Sequence, residues 1–361
     1  MPWRILSRSI INAALVVLVV MPVLAHAQTA LRVPVVSRTV FYMPAWTAEK
    51  QGFFKEAGLD VNIEVYDGSE KIFHDLRAGT HQIAIASIES VIAESYKGGT
   101  LRIVAGIAKR PPHFIIAQPE IKTLADLKGK TVGVVSMHEG TTFFVADIAK
   151  AGGFAPNDVR VEAVGGSPTR ARLLKERKID MGLQPYPLSY EAEAQGFSNL
   201  GAMAKLVPDY QFVSVIVDEN WASKNRAVVA AFLKGLRRGT EYMFAHPDES
   251  AELGAKELRT SPAFARRALE DTLSMDIMSR DLSLTDASLR RVFSIMQQAG
   301  ALAREVPFEP AKFVDESYLA EPEIAIAPAA LIPLKGRHVF PRQQLLDAPR
   351  GHRAAPDCGG N

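Results

Sequence analysis

Apolar and polar positions change period between Pro44 and Val65, and the change marks a helix-to-strand unit. Trp46, Lys50, Phe53, Phe54 and Ala57 fall near helical spacing, with only the stem of Lys50 apolar, so one side can bury two aromatic rings against a sheet. Gly52 interrupts the run and Gly58 stands where a left-handed cap is needed, which predicts two short helical turns rather than one long helix. The period then becomes two. Leu59, Val61, Ile63 and Val65 alternate with Asp60, Asn62 and Glu64, the pattern of a strand buried on one face, at the edge of a mostly parallel sheet.

The same reading extends along the chain. Residues 31–36 form a first strand, in which Pro34 lacks a ladder donor and argues against a central position. Asp67-Gly68-Ser69 is a turn and helix start, Ile72, Phe73 and Leu76 give a buried stripe, and Gly79 the stop. Strands over 82–87 and 101–107 enclose a helix over 91–96, so the order is βαβαβ and implies right-handed parallel crossovers. Lys109-Arg110-Pro111-Pro112-His113 breaks the pattern as a linker. A second unit follows, with strands over 114–117, 131–136, 159–164 and 179–183 and helices between them, one opened by Gly165-Gly166-Ser167-Pro168. Residues 212–217 read as the return crossover. From Asn225 the chain is helical: Val228, Val229, Phe232, Leu236, Tyr242 and Met243 make one stripe, and further helices are expected over 249–258, 262–274, 286–299 and 311–319. The fold class is α/β, with a first lobe from 28–109 plus 214–320 and a second from 110–213.

The ends differ from the body. Arg4 and Arg8 precede an apolar run over 10–24, and Ala25-His26-Ala27 is a small-x-small cleavage pattern, so residues 1–27 read as a secretory signal peptide. The competing reading is a membrane anchor, but Asn12 interrupts a run short of the ~20 apolar residues a span needs. Residues 321–361 hold six prolines without a sustained period and read as a disordered tail. Removing Arg4 and Arg8 from 42 basic residues leaves 40 against 40 acidic ones, a formally neutral chain with no electrostatic footprint for nucleic acid. Cys358 is the only cysteine, which excludes an internal disulfide and a thiol metal site.

Residues 48–61, Ala-Glu-Lys-Gln-Gly-Phe-Phe-Lys-Glu-Ala-Gly-Leu-Asp-Val, resemble the A-x-x-x-G-F-F-x-x-x-G-L-D-V signature of bacterial periplasmic solute-binding proteins, in the group serving nitrate, sulfonate, taurine and thiamine-pyrimidine-precursor uptake. Leu76-Arg77-Ala78-Gly79 is similar to that family's L-x-x-G, and residues 121–134 to its I-x-x-x-x-D-L-K-G-K-x-V-G-V segment. The resemblance spans 31–319. It implies a two-lobe periplasmic binding protein type II fold, with mostly parallel sheets flanked by helices, a hinge and a central cleft. It also implies an exported, monomeric carrier without cofactor that hands a small solute to the membrane permease of an ABC-type uptake system. One departure concerns Gly-x-x-Asp before the cleft strands: Gln82 takes the acid's place after Gly79, whereas Asp180 is present with Arg177 in the glycine's place. Eukaryotic relatives that make the thiamine pyrimidine use a cysteine cluster and an internal histidine donor, and a core without cysteine argues against that activity here. An exported enzyme and a sensory ligand-binding protein are the rival readings.

In open α/β sheets a ligand sits beyond the carboxyl ends of the strands, where helix N-termini present unpaired N–H groups. That rule selects Arg38, Tyr42, Asp67, Ser69, Ser87 and Glu89 from the first unit. From the second it selects Ser136, His138, Gly140, Thr141, Thr142, Ser167, Gln184 and Tyr186. Thr141, Thr142 and Ser167 can equally serve as helix caps, and Ser69 reads as a cap before it reads as a ligand contact. Tyr42 and Tyr186 can close over a flat ligand or pack at the hinge. Arg38 offers a bidentate hold on a carboxylate or sulfonate, against the competing reading of a solvated surface arginine. His138 and Glu139 are adjacent in sequence and have no third ligand at useful spacing, so no metal site is expected. Helix N-termini and Arg38 favour an anion, whereas Glu89 and Glu139 would suit an amine or a ring nitrogen; the solute expected is a small organic anion or heterocycle, sulfonate, carboxylate or pyrimidine-like.

Overall fold

The computed structural model describes residues 28–66, 68–138 and 140–320. The leader over 1–27, the tail over 321–361, Asp67 and Glu139 lie outside the described residues. The first half runs β1 (Thr29–Val35), α1 (Met43–Lys50), α2 (Phe53–Glu56), β2 (Leu59–Val65), α3 (Ser69–Arg77), β3 (Ile83–Ala86), α4 (Glu89–Ser95), β4 (Leu101–Ala108), β5 (His113–Ala117), β6 (Thr131–Val134), α5 (Gly140–Gly152), β7 (Arg160–Ala163) and α6 (Ser167–Lys175). The second half runs β8 (Met181–Pro185), α7 (Leu188–Ala194), β9 (Ser198–Ala202), α8 (Met203–Leu206), β10 (Val213–Asp218), α9 (Glu219–Ala222), α10 (Arg226–Ala245), α11 (Pro247–Glu257), α12 (Pro262–Ser274) and α13 (Asp286–Gln298). Among these, no helix is long and apolar enough to cross a membrane.

Two five-stranded sheets carry the fold, ordered β2-β1-β3-β10-β4 and β7-β6-β8-β5-β9. Each is parallel apart from one strand: β10 runs antiparallel to β3 and β4, and β5 antiparallel to β8 and β9. Burial follows position. The inner strands β3 and β5 are buried at every residue, whereas β2 alternates over its first half at the sheet edge. Pro34 is tolerated one strand in from that edge. Val35 O faces β2, accepting from Tyr66 N at 2.8 Å, so alternation turns Pro34 toward β3, where pairing is limited to Val35 and Ile85.

The helix-to-strand unit forms as its periods require. Gly52 and Gly58 both adopt left-handed backbone, with φ of 79° and 78°, and separate α1 from α2 and α2 from β2. The buried rings do not all meet a sheet, however. Phe54 stacks on Phe232 of α10 with centroids 5.0 Å apart, and Phe53 is only partly buried, under Arg238. α10 therefore covers this unit, and Gly235 and Gly239 are the points where it comes closest. The stripe on α10 is narrower than expected, since Val228 and Tyr242 are only half-buried. Residues 311–319 hold two 3-10 turns, Pro310–Lys312 and Glu316–Tyr318, rather than a helix, and β9 was not apparent in the apolar pattern because its residues alternate around Gly201.

The two linkers between the sheets run side by side. Tyr210 N donates to Lys109 O at 3.2 Å and Phe212 N to Ala108 O at 2.7 Å, so the chain leaves and returns through one paired crossing.

Candidate functional site

Strand ends from both sheets meet at a hollow of about 40 Å³. Val36 and Ser37 reach it from the end of β1, Ser87 from the end of β3 and Val135 from the end of β6. Ser69, Thr141 and Ser167 stand at the first turns of α3, α5 and α6, so three helix N-termini open toward the same space. Phe41 and Tyr42 close one side. The antiparallel strands add what the parallel ones cannot: β5 and β10 begin where their neighbours end, and so deliver His113, Phe212 and Val213.

The hydroxyls are arranged around this space. Ser69 Oγ and Ser87 Oγ are 3.5 Å apart, and Ser37 Oγ lies 3.1 Å from Thr39 Oγ1. Thr141 Oγ1 accepts from Val135 N at 3.0 Å, which ties the start of α5 to the end of β6. Ser69 and Ser167 follow glycines at the cap positions, Gly68 and Gly166, so neither serine is the cap.

Arg170 supplies the charge. One turn into α6 and 2 % exposed, it uses all three guanidinium nitrogens: Nε and Nη2 donate to Leu183 O at 3.2 and 3.1 Å, Nη1 to Gly165 O at 2.8 Å, and Nη2 to Ser167 Oγ at 3.0 Å. His113 faces it across the hollow. Its ring packs edge-on against Phe212, 4.8 Å between centroids, and obliquely against Phe41 at 6.2 Å. The residue is 2 % exposed, and its Nδ1 is buried without a hydrogen-bond partner. Burial, with the Arg170 charge added, holds this imidazole well below its usual range, so it is neutral at physiological pH. Among the described residues, no carboxylate lines the hollow.

Of the residues selected from sequence, Tyr42, Ser69, Ser87, Thr141 and Ser167 are thus brought together. Others go elsewhere. Arg38 turns away from the hollow, stacks on Trp46 at 5.6 Å and donates through Nη1 to Glu257 O at 2.9 Å and to its carboxylate at 3.2 Å, at the carbonyl end of α11. Gln184 is fully buried against α6. With its amide oriented to match its neighbours, it donates to Ser167 O at 3.3 Å and accepts from Ala171 N at 3.1 Å. Tyr186 stacks on Tyr190 at 5.6 Å, and its hydroxyl reaches Met275 Sδ at 3.6 Å, so it packs between α7 and the end of α12. Thr142 donates to Ser136 O, and Ser136 Oγ accepts from His138 N at 3.2 Å, an arrangement internal to the loop before α5.

Ser136, His138 and Glu89 line a wider groove of about 600 Å³ between α3, α4, α13 and that loop. Its charges are mixed, and Arg77 is already held by Glu94 at 2.7 Å. Gly140 stands between groove and hollow: a Cβ there would lie 2.6 Å from Glu89 Oε1. The two residues that give the hollow its electrostatic character, His113 and Arg170, were not selected from sequence. His113 falls in the stretch that reads as a Lys-Arg-Pro-Pro-His linker, and Arg170 follows the Gly-Gly-Ser-Pro helix opening with nothing local to single it out.

Two mixed sheets meeting at a hollow walled by strand ends and helix N-termini define the periplasmic binding protein fold, and relatives bear this out. The NMT1/THI5 like family model matches residues 41–250, and the chain belongs to that family. It is 26 % identical over 219 residues to a putative binding protein of Brucella abortus, covering 60 % of this chain and 67 % of the other. It is also 27 % identical over 244 residues to 4-amino-5-hydroxymethyl-2-methylpyrimidine phosphate synthase of Candida albicans, covering 59 % and 67 %. Among solved structures, the periplasmic nitrate-binding protein NrtA of Synechocystis PCC 6803 superposes with a TM-score of 0.69 at 12 % identity, over 81 % of this chain and 88 % of that one.

Proposed function

We propose that the protein is the extracytoplasmic solute-binding component of an ABC-type uptake system, which captures a small organic anion or heterocycle by lobe closure and delivers it to a membrane permease. The observation that carries this reading is the composition of the hollow. It joins both sheets, gathers hydroxyls and three helix N-termini, and includes one buried guanidinium and no carboxylate among its described lining residues. Positive potential from the guanidinium and the helix N-termini favours an anion over an amine.

In this reading the lobes are 28–109 plus 214–320 and 110–213, and the paired linkers near 109–113 and 206–212 are the hinge. Closure is held outside the hollow as well. Tyr190 of α7 donates to Asp271 of α12 at 2.6 Å, Thr260 to Glu191 at 2.7 Å, and Arg291 of α13 to Asp147 of α5 at 2.7 Å. These bonds form only when the helices of the two sheets meet, so a ligand touching both walls shifts the population toward them. The leader over 1–27 would export the chain to the periplasm, where it acts as a monomer.

Native mass spectrometry of protein purified without refolding tests the reading. The expected result is a co-purified small molecule, released unchanged on denaturation, together with a scattering envelope that expands when the molecule is removed. A protein that carries no solute, and whose envelope is the same in every condition, would not be a carrier.

A further inference from the structure

The hydroxyls around the hollow do not by themselves select a ligand, because each can donate or accept. Arg170 contributes charge more than bonds, since its three nitrogens are already engaged by Leu183 O, Gly165 O and Ser167 Oγ. His113 is different. It reaches the hollow from the start of an antiparallel strand, is wedged between Phe41 and Phe212, and buries a ring nitrogen that bonds to nothing. A buried polar atom without a partner costs about 1–3 kcal/mol, so the ring, which lines the hollow, carries an uncompensated cost there.

The charged and titratable groups on the elements around His113 are few. Arg170 faces it from α6 and Tyr42 from the turn before α1, while the returning linker presents Phe212 and β10 presents Val213. None of these is an acid that would favour an imidazolium. An anion placed between His113 and Arg170 supplies the missing negative charge, neutralises the field of the guanidinium and so reverses the balance at the imidazole. Space agrees with this. The hollow holds a head group rather than a whole solute, since a single water occupies roughly 10–15 Å³ on the same measure.

We infer that His113 is the discriminating side chain of this hollow: it takes up a proton from solution as an acid head group seats against it, so that anion and proton are captured together. The inference rests on the carrier reading and adds to it the chemistry by which the site tells an acid from its neutral or basic analogues. Linkage gives the sign. A group whose pKa is raised on binding makes affinity increase as pH falls, by up to about tenfold per pH unit between its free and bound values.

The test uses the whole protein with ring-labelled histidine and nitrate, acetate or methanesulfonate as the probe, with methylammonium as the opposite-charge control. His113→Gln identifies the resonance by its disappearance, and the wild-type titration does not depend on that variant folding perfectly. Without probe, the His113 ring is expected to remain neutral at pH 6. With a saturating anion it is expected to become positive, and calorimetry in buffers of different ionisation heat should show proton uptake approaching about one per anion. The inference is overturned if the ring is already charged without probe, if an anion binds and the ring stays neutral, if methylammonium binds equally well, or if none of the three anions binds. A co-purified neutral solute would also overturn it while leaving the carrier reading in place, whereas a protein carrying no solute at all would remove both.

Discussion

Tyr210 donates its phenol hydrogen to Glu89 at 2.6 Å, with both residues inaccessible to solvent. Tyr210 lies in the returning linker and Glu89 opens α4, so the bond fastens the crossing between the sheets to the layer of the first. Burial and the neighbouring carboxyl push the phenol far above its usual pKa, so it serves as a donor throughout the accessible pH range. Tyr210→Phe keeps the ring against Phe144, 4.7 Å away, and removes only the hydroxyl. The expected loss is about 1–3 kcal/mol, read as a lower urea midpoint with an unchanged slope. An unchanged midpoint would mean that the crossing does not depend on this bond.

A second prediction turns on sign. In a helix interior, glycine to alanine normally stabilises by roughly 0.5–1 kcal/mol. At Gly239 of α10, an added Cβ would lie 2.3 Å from Pro44 O and 2.9 Å from Ala48 Cβ, with backbone rather than a flexible side chain in the way. Gly239→Ala should therefore lower Tm, by the equivalent of about 1–3 kcal/mol, because α10 must move off α1. A rise in Tm would show that the two helices do not pack this closely.

Two histidines make stability fall between neutral and mildly acid pH. His81 is buried beside Tyr66, whose hydroxyl is 2.8 Å from its Nε2, and burial lowers its pKa against the opposing pull of Glu64 and Asp75. His113 is lowered further. In the unfolded chain both revert toward about 6.5, so the unfolded state binds more protons and stability falls as pH drops below that value. The limit is ~1.4 kcal/mol per pH unit for each histidine. Urea unfolding at pH 7.5 and 5.5 measures it. His113→Gln should flatten the difference, and a protein more stable at pH 5.5 would contradict the assignment.

The fold was legible in the sequence because period and punctuation agreed. Gly52, Gly58 and the alternation after Leu59 each implied one backbone outcome, and the structure has it. The site was legible only along the parallel strands. The rule that ligands sit beyond strand carboxyl ends leads to Ser87, Thr141 and Ser167, and it misses residues that open an antiparallel strand. His113 begins β5 and Phe212 precedes β10, so both reach the same edge from the opposite chain direction. Arg170 was hidden for another reason: nothing local reveals that a mid-helix arginine will be buried by carbonyls from a neighbouring strand and turn. Arg38 shows the converse. Its position after β1 suited a ligand contact, but Trp46 and the carbonyl end of α11 provide a nearer partner.

That contrast gives the last prediction. Arg38 is half-buried and bonded to Glu257, away from the hollow, so Arg38→Ala should cost less than about 1 kcal/mol and leave the occupancy of co-purified solute unchanged. Ser87 is buried at the end of β3 and lines the hollow, with Ser69 Oγ 3.5 Å away as its hydroxyl neighbour. Ser87→Ala removes one hydroxyl with little change in volume. If the hollow holds the solute, the lost hydrogen bond should weaken affinity about tenfold with a minor effect on folding, and native mass spectra should show the empty protein predominating. Should Arg38→Ala empty the protein while Ser87→Ala leaves it full, the solute would sit against the α11 end of the first sheet layer rather than between the two sheets.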